Sequence, residues 1–208
     1  MERAIICPTN KDTEEVNRIL MDQMPGQLFI FKSADSVINE VEAHQHPIEF
    51  LNSLNVSGMP PHCLVLKPGT PIMLLRNLDP QNGHCNGSRY YVIAMTNRVI
   101  HAELATGANK GNQILIPRIL FQSTNDKTLP FEFQRKQFPI KLAFGMTSNK
   151  AQGQTLKKVG VNLSSPFFSH GQLYVALSRV GSPSAIKIFK PNDEPKTMKN
   201  VVYKEILS

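Results

Sequence analysis

Ten consecutive residues gather groups able to hold a phosphate: Met146-Thr147-Ser148-Asn149-Lys150-Ala151-Gln152-Gly153-Gln154-Thr155. A strand that ends in Thr, Ser, Asn and Lys and turns into a helix start presents hydroxyls, an amide, a cation and backbone N–H groups to one anion. Gly153 lets the backbone approach that anion with no Cβ in the way. A polar turn whose glycine serves packing alone has the same composition, so the run by itself leaves both readings open. A second run is Gly171-Gln172-Leu173-Tyr174-Val175-Ala176-Leu177-Ser178-Arg179-Val180. It sets Leu173, Ala176, Leu177 and Val180 at i, i+3, i+4 and i+7, which leaves Arg179 on another face near the helix end, ahead of Gly181 and Pro183. An arginine there either complements its own helix dipole or projects a planar donor fork at a nucleotide phosphate.

The elements around these runs read as α/β at both ends of the chain. Ala4-Ile5-Ile6-Cys7 forms a short apolar strand closed by Pro8-Thr9-Asn10, and Asp12-Thr13-Glu14-Glu15 reads as an N-cap with a capping-box carboxylate. Val16, Ile19 and Leu20 give the following helix a buried stripe, and Pro25-Gly26 stops it. Residues 28–31 read as a second strand, 35–41 as a weak helical turn or ordered loop, and 48–54 as a short helix. From His62 to Glu132 the texture changes to five short strands, 63–66, 71–76, 90–96, 99–104 and 113–116, with Gly-containing turns between them. That pattern predicts a small β-barrel. The α/β pattern then returns as a strand at 140–144, a short helix at 149–155, a strand at 159–163, a helix at 171–180 and a strand at 185–189. The expected organisation is an α/β domain in two pieces, 1–61 and 133–208, with a barrel at 62–132 inserted between them.

A chain of 208 residues buries roughly 70% of its unfolded surface on folding and needs no covalent staples. Its charge of +7 is regional. Residues 133–192 hold nine basic residues and no acidic one, whereas the rest of the chain carries 14 basic against 16 acidic residues, or −2. Such a segment is the footprint of a nucleic-acid or nucleotide surface; a solvated face meeting an acidic partner is the plainer reading. The longest unbroken apolar run, residues 90–95, is far short of the ~18 residues of a membrane span. Met1 to Ala4 passes straight into the first strand with no secretory leader, and Cys7, Cys63 and Cys85 are an odd number at irregular spacing. An intracellular protein with free thiols is expected.

Together and in this order, the two runs resemble motifs V and VI of the Pif-type ATP-dependent DNA helicases of superfamily one, most closely those of eukaryotes and of Helitron transposons. The blocks that carry the likeness are Ile6-Cys7-Pro8-Thr9-Asn10-Lys11, Glu49 to Leu54 with Ser57 to His62, Leu66 to Gly69 with Pro71 to Leu78 and Cys85 to Arg89, Asn149 to Thr155, Tyr174 to Arg179, and Asn200 to Glu205. The resemblance implies the C-terminal half of such a helicase: a second RecA-like domain with an inserted, Src-homology-three-like small β-barrel. It implies that Arg179 is the arginine finger, that Gly153 and Gln154 face the nucleotide, and that Thr9, Asn10, Thr147, Asn149 and Lys150 contact single-stranded DNA. It implies ATP and Mg²⁺ as cofactors, a first RecA-like domain as partner, 5′ to 3′ unwinding, and a place in the nucleus and also the mitochondrion. Repair, recombination and telomere maintenance, or transposition, are the roles it implies. His84 departs from the family, where an apolar residue is more usual.

The 208 residues contain no G-x-x-x-x-G-K-[ST] loop and no apolar strand ending in paired carboxylates for Mg²⁺; Asp193-Glu194 lies between two prolines. The expectation is therefore a truncated chain or incomplete gene product that does not hydrolyse ATP alone. Two rivals stand beside it: a single-stranded nucleic-acid-binding module without catalysis, and a functionless transposon-helicase remnant. The pairs His62-Cys63 and His84-Cys85 lack zinc-ligand spacing, so no metal site is expected, and His44 and His46 read as exposed loop residues.

Overall fold

The computed structural model describes residues 3–39, 46–123, 129–190 and 200–203. In chain order the elements are β1 (Arg3–Cys7), α1 (Asn10–Gln23), β2 (Phe29–Lys32), β3 (Ala34–Val37), α2 (Ile48–Ser53), β4 (Cys63–Leu66), β5 (Pro71–Leu74), β6 (Arg89–Met95), β7 (Val99–Leu104), β8 (Gln113–Pro117), β9 (Ile119–Gln122), β10 (Phe133–Gln137), β11 (Ile140–Leu142), β12 (Gly145–Thr147), α3 (Ser148–Ala151), β13 (Lys158–Asn162), α4 (Gln172–Leu177) and β14 (Ile186–Phe189). They form two compact units, one of Met1–Gln23 with Leu142–Ser208 and the other of Met24–Lys141.

The first unit is built on a sheet in the order β12-β1-β13-β14. Every pairing in it is parallel. Parallel strands need cover on both faces, and apolar residues on this sheet supply one core: Ile6, Met146, Val159 and Val161 pack with Ala151 of α3 and with Leu173 and Ala176 of α4. Leu177 and Val180 flank the same cluster, so the apolar face of the second motif is core, as its spacing suggests. α1 departs from expectation. Its buried residues are Asp12, Thr13, Asn17 and Met21, while Ile19 is 41% exposed. The reason is a polar graft onto β12: the Asn17 side chain accepts the Gly145 N–H at 2.9 Å and donates to the Leu142 carbonyl at 3.5 Å.

The strand expected at 140–144 is the shorter β11, and a further strand, β12, follows it where none was expected. β11 joins the antiparallel sheet of the second unit, and β12 starts three residues later in the parallel sheet. In the second unit, β5 to β8 follow the expected boundaries closely and run antiparallel in the order β11-β5-β6-β7-β8. The expected first strand of the barrel, β4, instead pairs with β2. Of residues 35–41, expected as a weak helical turn or ordered loop, 35–37 belong to β3, which with β10 and β9 makes a further antiparallel sheet; residues 40 and 41 lie outside the described residues. The segment 24–61 thus packs within the second unit.

What holds that segment there is a buried cation. Arg135 is 0% exposed. Its Nε donates to both Asp35 oxygens at 3.0 Å, and its Nη2 donates to Asp35 Oδ2 at 2.7 Å. The remaining donors reach the carbonyls of Leu51 at 2.9 Å and of Leu54 and Pro60 at 3.1 Å. One guanidinium therefore ties β3, α2 and the loop beyond it to β10. Gln137 adds a second stitch, donating to the Phe31 and His62 carbonyls at 3.0 Å each. His46, expected as an exposed loop residue, is half-buried and stacks on Phe131 with ring centroids 3.8 Å apart; His44 lies outside the described residues.

Breaking this pair leaves an uncompensated buried charge, so Arg135→Ala and Asp35→Ala should each lower the unfolding free energy by about 3–5 kcal/mol. Urea unfolding followed by circular dichroism checks this. The double substitution Arg135→Met with Asp35→Leu should cost less than either single change, because it removes both charges together.

Candidate functional site

The register of the parallel sheet sets Cys7 of β1 opposite Thr147 of β12. Both strands therefore leave the sheet at the same carboxyl edge, the edge where open α/β sheets bind ligands. Thr9 and Asn10 follow the first exit, and Thr147, Ser148, Asn149 and Lys150 follow the second. Two segments chosen separately in the sequence are neighbours.

Thr9, not Asp12, caps α1. Its Oγ1 accepts the Asp12 N–H at 3.1 Å, and the Asp12 carboxylate reaches back to the Thr9 N–H at 3.2 Å, a reciprocal capping box one turn earlier than the sequence suggests. The Thr9 hydroxyl also donates to Asp12 Oδ2 at 2.6 Å, while Ser165, beyond β13, donates to Asp12 Oδ1 at 2.9 Å. Asp12 thus ties the exits of β1 and β13 together. Thr9 is half-buried and Asn10 exposed. Cys7 beneath them is fully buried, and burial pushes its thiol up to about 11, against the opposing pull of side-chain bonds to Thr13 and Asn162.

In the second exit, half-buried Thr147 occupies the cap position of α3 with no side-chain cap bond. Ser148 is buried and donates to the Gln172 carbonyl at 2.7 Å, which anchors α3 to the start of α4. Asn149 and Lys150 are exposed. The helix expected at 149–155 ends at Ala151 because the chain reverses at Gly153, where φ is +77°. No atom lies within 4 Å of where a Gly153 Cβ would stand, so backbone conformation and not crowding requires glycine there. Gln154 closes the turn: its N–H donates to the Ala151 carbonyl at 3.1 Å and its Nε2 to the Lys150 carbonyl at 2.9 Å.

Arg179 lies two residues past the end of α4, half-buried. Its Nε donates to the Val175 carbonyl at 2.8 Å, as an arginine serving its own helix end would. Its Nη1 also faces the carbonyls of Ala151 at 3.5 Å and Gln154 at 3.4 Å, and its own carbonyl accepts the Leu156 N–H at 2.8 Å. The arginine and the glycine turn are thereby one assembly. Sequence reading missed Gln172, which is buried and whose Oε1 accepts the N–H groups of Phe168 and Ser169 at 3.3 Å each. A glutamine opening an otherwise apolar helix face is the only sequence signal it gives.

The acid-free run divides between the units. Arg135, Lys136 and Lys141 lie in the second, with Arg135 consumed by its ion pair, whereas Lys150, Lys157, Lys158, Arg179, Lys187 and Lys190 lie in the first. Among the described residues no three His, Cys, Asp or Glu side chains gather to hold a metal. His84 is buried against the Tyr90 hydroxyl at 3.0 Å, which gives the polar residue at this position a partner. No helix among the described residues is long and apolar enough to cross a membrane. Asp193 and Glu194, and Lys204 and Glu205 of the tail, lie outside the described residues.

Residues 49–95 match the family model described as DNA helicase Pif1, 2B domain. The ATP-dependent DNA helicase PIF1 of Danio rerio is 30% identical over 197 residues, covering 88% of this chain and 26% of its own length. A crystal structure of Bacteroides Pif1 bound to ssDNA is 26% identical with a TM-score of 0.67, covering 89% of this chain and 40% of that one. Bacteroides Pif1 in complex with ADP-AlF3 and ssDNA superposes with a TM-score of 0.71 over 99% of this chain and 43% of that one; at 24% identity it speaks for the fold alone. The chain spans about a quarter of the length of the first curated relatives it matches.

The burial of Cys7 has a direct readout. At pH 8 a thiol reagent should modify exposed Cys63 readily and leave Cys7 untouched until the chain unfolds, as mass spectrometry of the labelled peptides will report. Because the folded thiol holds its proton more tightly than the ordinary value of 9.0, its contribution to stability is complete below pH 9 and declines as pH rises toward 11.

Proposed function

From a chain that is homologous over most of its length to the C-terminal portion of ATP-dependent Pif1 DNA helicases, we propose a motor half that grips single-stranded DNA and senses ATP held by a first RecA-like domain. In this reading the first unit is the second RecA-like domain. The antiparallel sheets of the second unit are the family's inserted module, with the Src-homology-three-like barrel built around β5 to β8. A nuclear place, with the mitochondrion as a second, and 5′ to 3′ unwinding follow from the family.

The observation that carries the proposal is the pairing of β1 with β12, which puts Thr9 and Asn10 beside Thr147, Asn149 and Lys150 on one sheet edge. Hydroxyl, amide and ammonium donors suit the phosphates of a single strand and read no base, so binding without sequence preference is expected. Thr9 contributes least through its hydroxyl, which the cap already employs as donor and acceptor. Gly153 and Gln154 form the backbone turn that faces the nucleotide, and Arg179 swings from its helix end to the γ-phosphate. The described residues offer Mg²⁺ no cluster of carboxylates, so the reading assigns that metal, with the phosphate loop, to the first RecA-like domain.

Three experiments test this. The 208-residue chain alone should show no DNA-stimulated ATP hydrolysis. Joined to a family first domain, Arg179→Ala should lower kcat by roughly 10³-fold, far more than it alters nucleotide or DNA affinity, and Arg179→Lys should stay well below wild type because an ammonium lacks the planar fork. Full turnover in Arg179→Lys rejects the finger. For the DNA edge, Lys150→Ala should reduce the slope of log affinity against log salt by about one counterion in a fluorescence-anisotropy titration with oligothymidylate. An unchanged slope removes Lys150 from the DNA surface.

A further inference from the structure

We infer that Arg179 is also the brace of the Gly153 turn, so that one guanidinium is shared between the turn that positions the DNA-binding residues and the phosphate it is proposed to meet. α3 has only four residues, too few to hold its own geometry. Its orientation depends on tethers at its two ends. At the start, Ser148 is fixed to Gln172. At the finish, the chain reverses through Gly153, and the reversal leaves carbonyls at the helix end in need of donors. Gln154 serves Lys150 and Ala151. Arg179 Nη1 serves Ala151 and Gln154, one carbonyl on each side of the glycine, while the Leu156 N–H returns to the Arg179 carbonyl. The turn is closed on Arg179 from both directions, and Asn149 and Lys150 ride on the helix it closes.

The second half of the inference rests on the finger reading. A phosphate takes an arginine through its terminal nitrogens. Nη1 spends both of its N–H groups on the two carbonyls and Nη2 one of its two on the Ser178 hydroxyl at 2.8 Å, so a guanidinium that presents both terminal nitrogens to a phosphate, as a planar fork does, must give up the brace. Engagement of the γ-phosphate then loosens the helix carrying Asn149 and Lys150 and weakens the hold on DNA. By linkage, DNA that stiffens α3 resists the departure of Arg179 to the same extent.

The test uses the 208-residue chain with no nucleotide, where a finger has nothing to touch. Arg179→Ala and Arg179→Lys should both speed amide exchange at Gln154 and Leu156, and weaken oligothymidylate binding, by about threefold to tenfold, the range expected for losing one or two modest hydrogen bonds. Exchange at Ile6 and Val161 in the parallel sheet should stay at the wild-type rate. The lysine variant keeps the charge and serves as the test if the alanine variant fails to fold. A brace shifts the affinity without altering the salt slope, whereas a direct DNA contact lowers the slope by about one in Arg179→Ala. Wild-type exchange and affinity in Arg179→Lys overturns the brace, as does that lowered slope. Wild-type exchange here together with the kcat loss in the joined enzyme rejects the brace and keeps the finger. Faster exchange here with full turnover in Arg179→Lys there keeps the brace and rejects the finger.

Discussion

The parallel hydrogen bonding of β1 between β12 and β13 is the constraint on which the first unit depends. Parallel pairing fixes direction as well as proximity, so the exits of three strands fall on one edge of the sheet. Asp12 then locks two of those exits together by bonding at once to Thr9 and Ser165. The polar side chains that follow β1 and β12 lie on one edge because the backbone beneath them leaves no freedom of register.

The two chemical runs were legible in the sequence because their logic is local. A glycine turn after Thr-Ser-Asn-Lys, and an arginine at the end of an apolar helix face, need only neighbouring residues to be recognised as elements, although the left-handed conformation of Gly153 was read only from the structure. Features decided by distant partners were not legible. The rows Val16-Ile19-Leu20 and Thr13-Asn17-Met21 are both in phase with a helix, and the second is buried because Asn17 finds Gly145, 128 residues away. Ala34-Asp35-Ser36-Val37 looks like a turn until Arg135, 100 residues on, makes a buried carboxylate tolerable. β4 was recognised as a strand, but its partner β2 lay outside the segment in which one was sought.

The units also differ in what their interiors use. The first packs aliphatic side chains between sheet and helices. The second also buries apolar side chains, among them Leu66, Ile72, Leu74, Ile100 and Phe138, but adds Arg135 and Gln137, which serve the backbone carbonyls of Leu54, Pro60, Phe31 and His62. Those carbonyls would otherwise be buried without donors, a cost that aliphatic packing cannot relieve. The acid-free run is therefore two things at once: in part a surface of exposed lysines, in part a buried structural cation. Net charge along a sequence does not separate them.

The discontinuity of the first unit orders events in time. β1 is made before either of its partners, for it is an interior strand whose two neighbours lie beyond residue 144. At about 5–20 residues per second, a ribosome needs roughly 6–25 s to make the 128 residues from Asn17 to Gly145. During that interval Ile6 and its neighbours have no sheet to join, and the Met24–Lys141 unit is synthesised to its last residue before β12 begins. The inserted unit can fold while the strand that will centre the other sheet is still waiting. Nascent β1 is thus a strand without sheet neighbours, and its protection from a mispaired edge is decided before the second exit, at β12, exists.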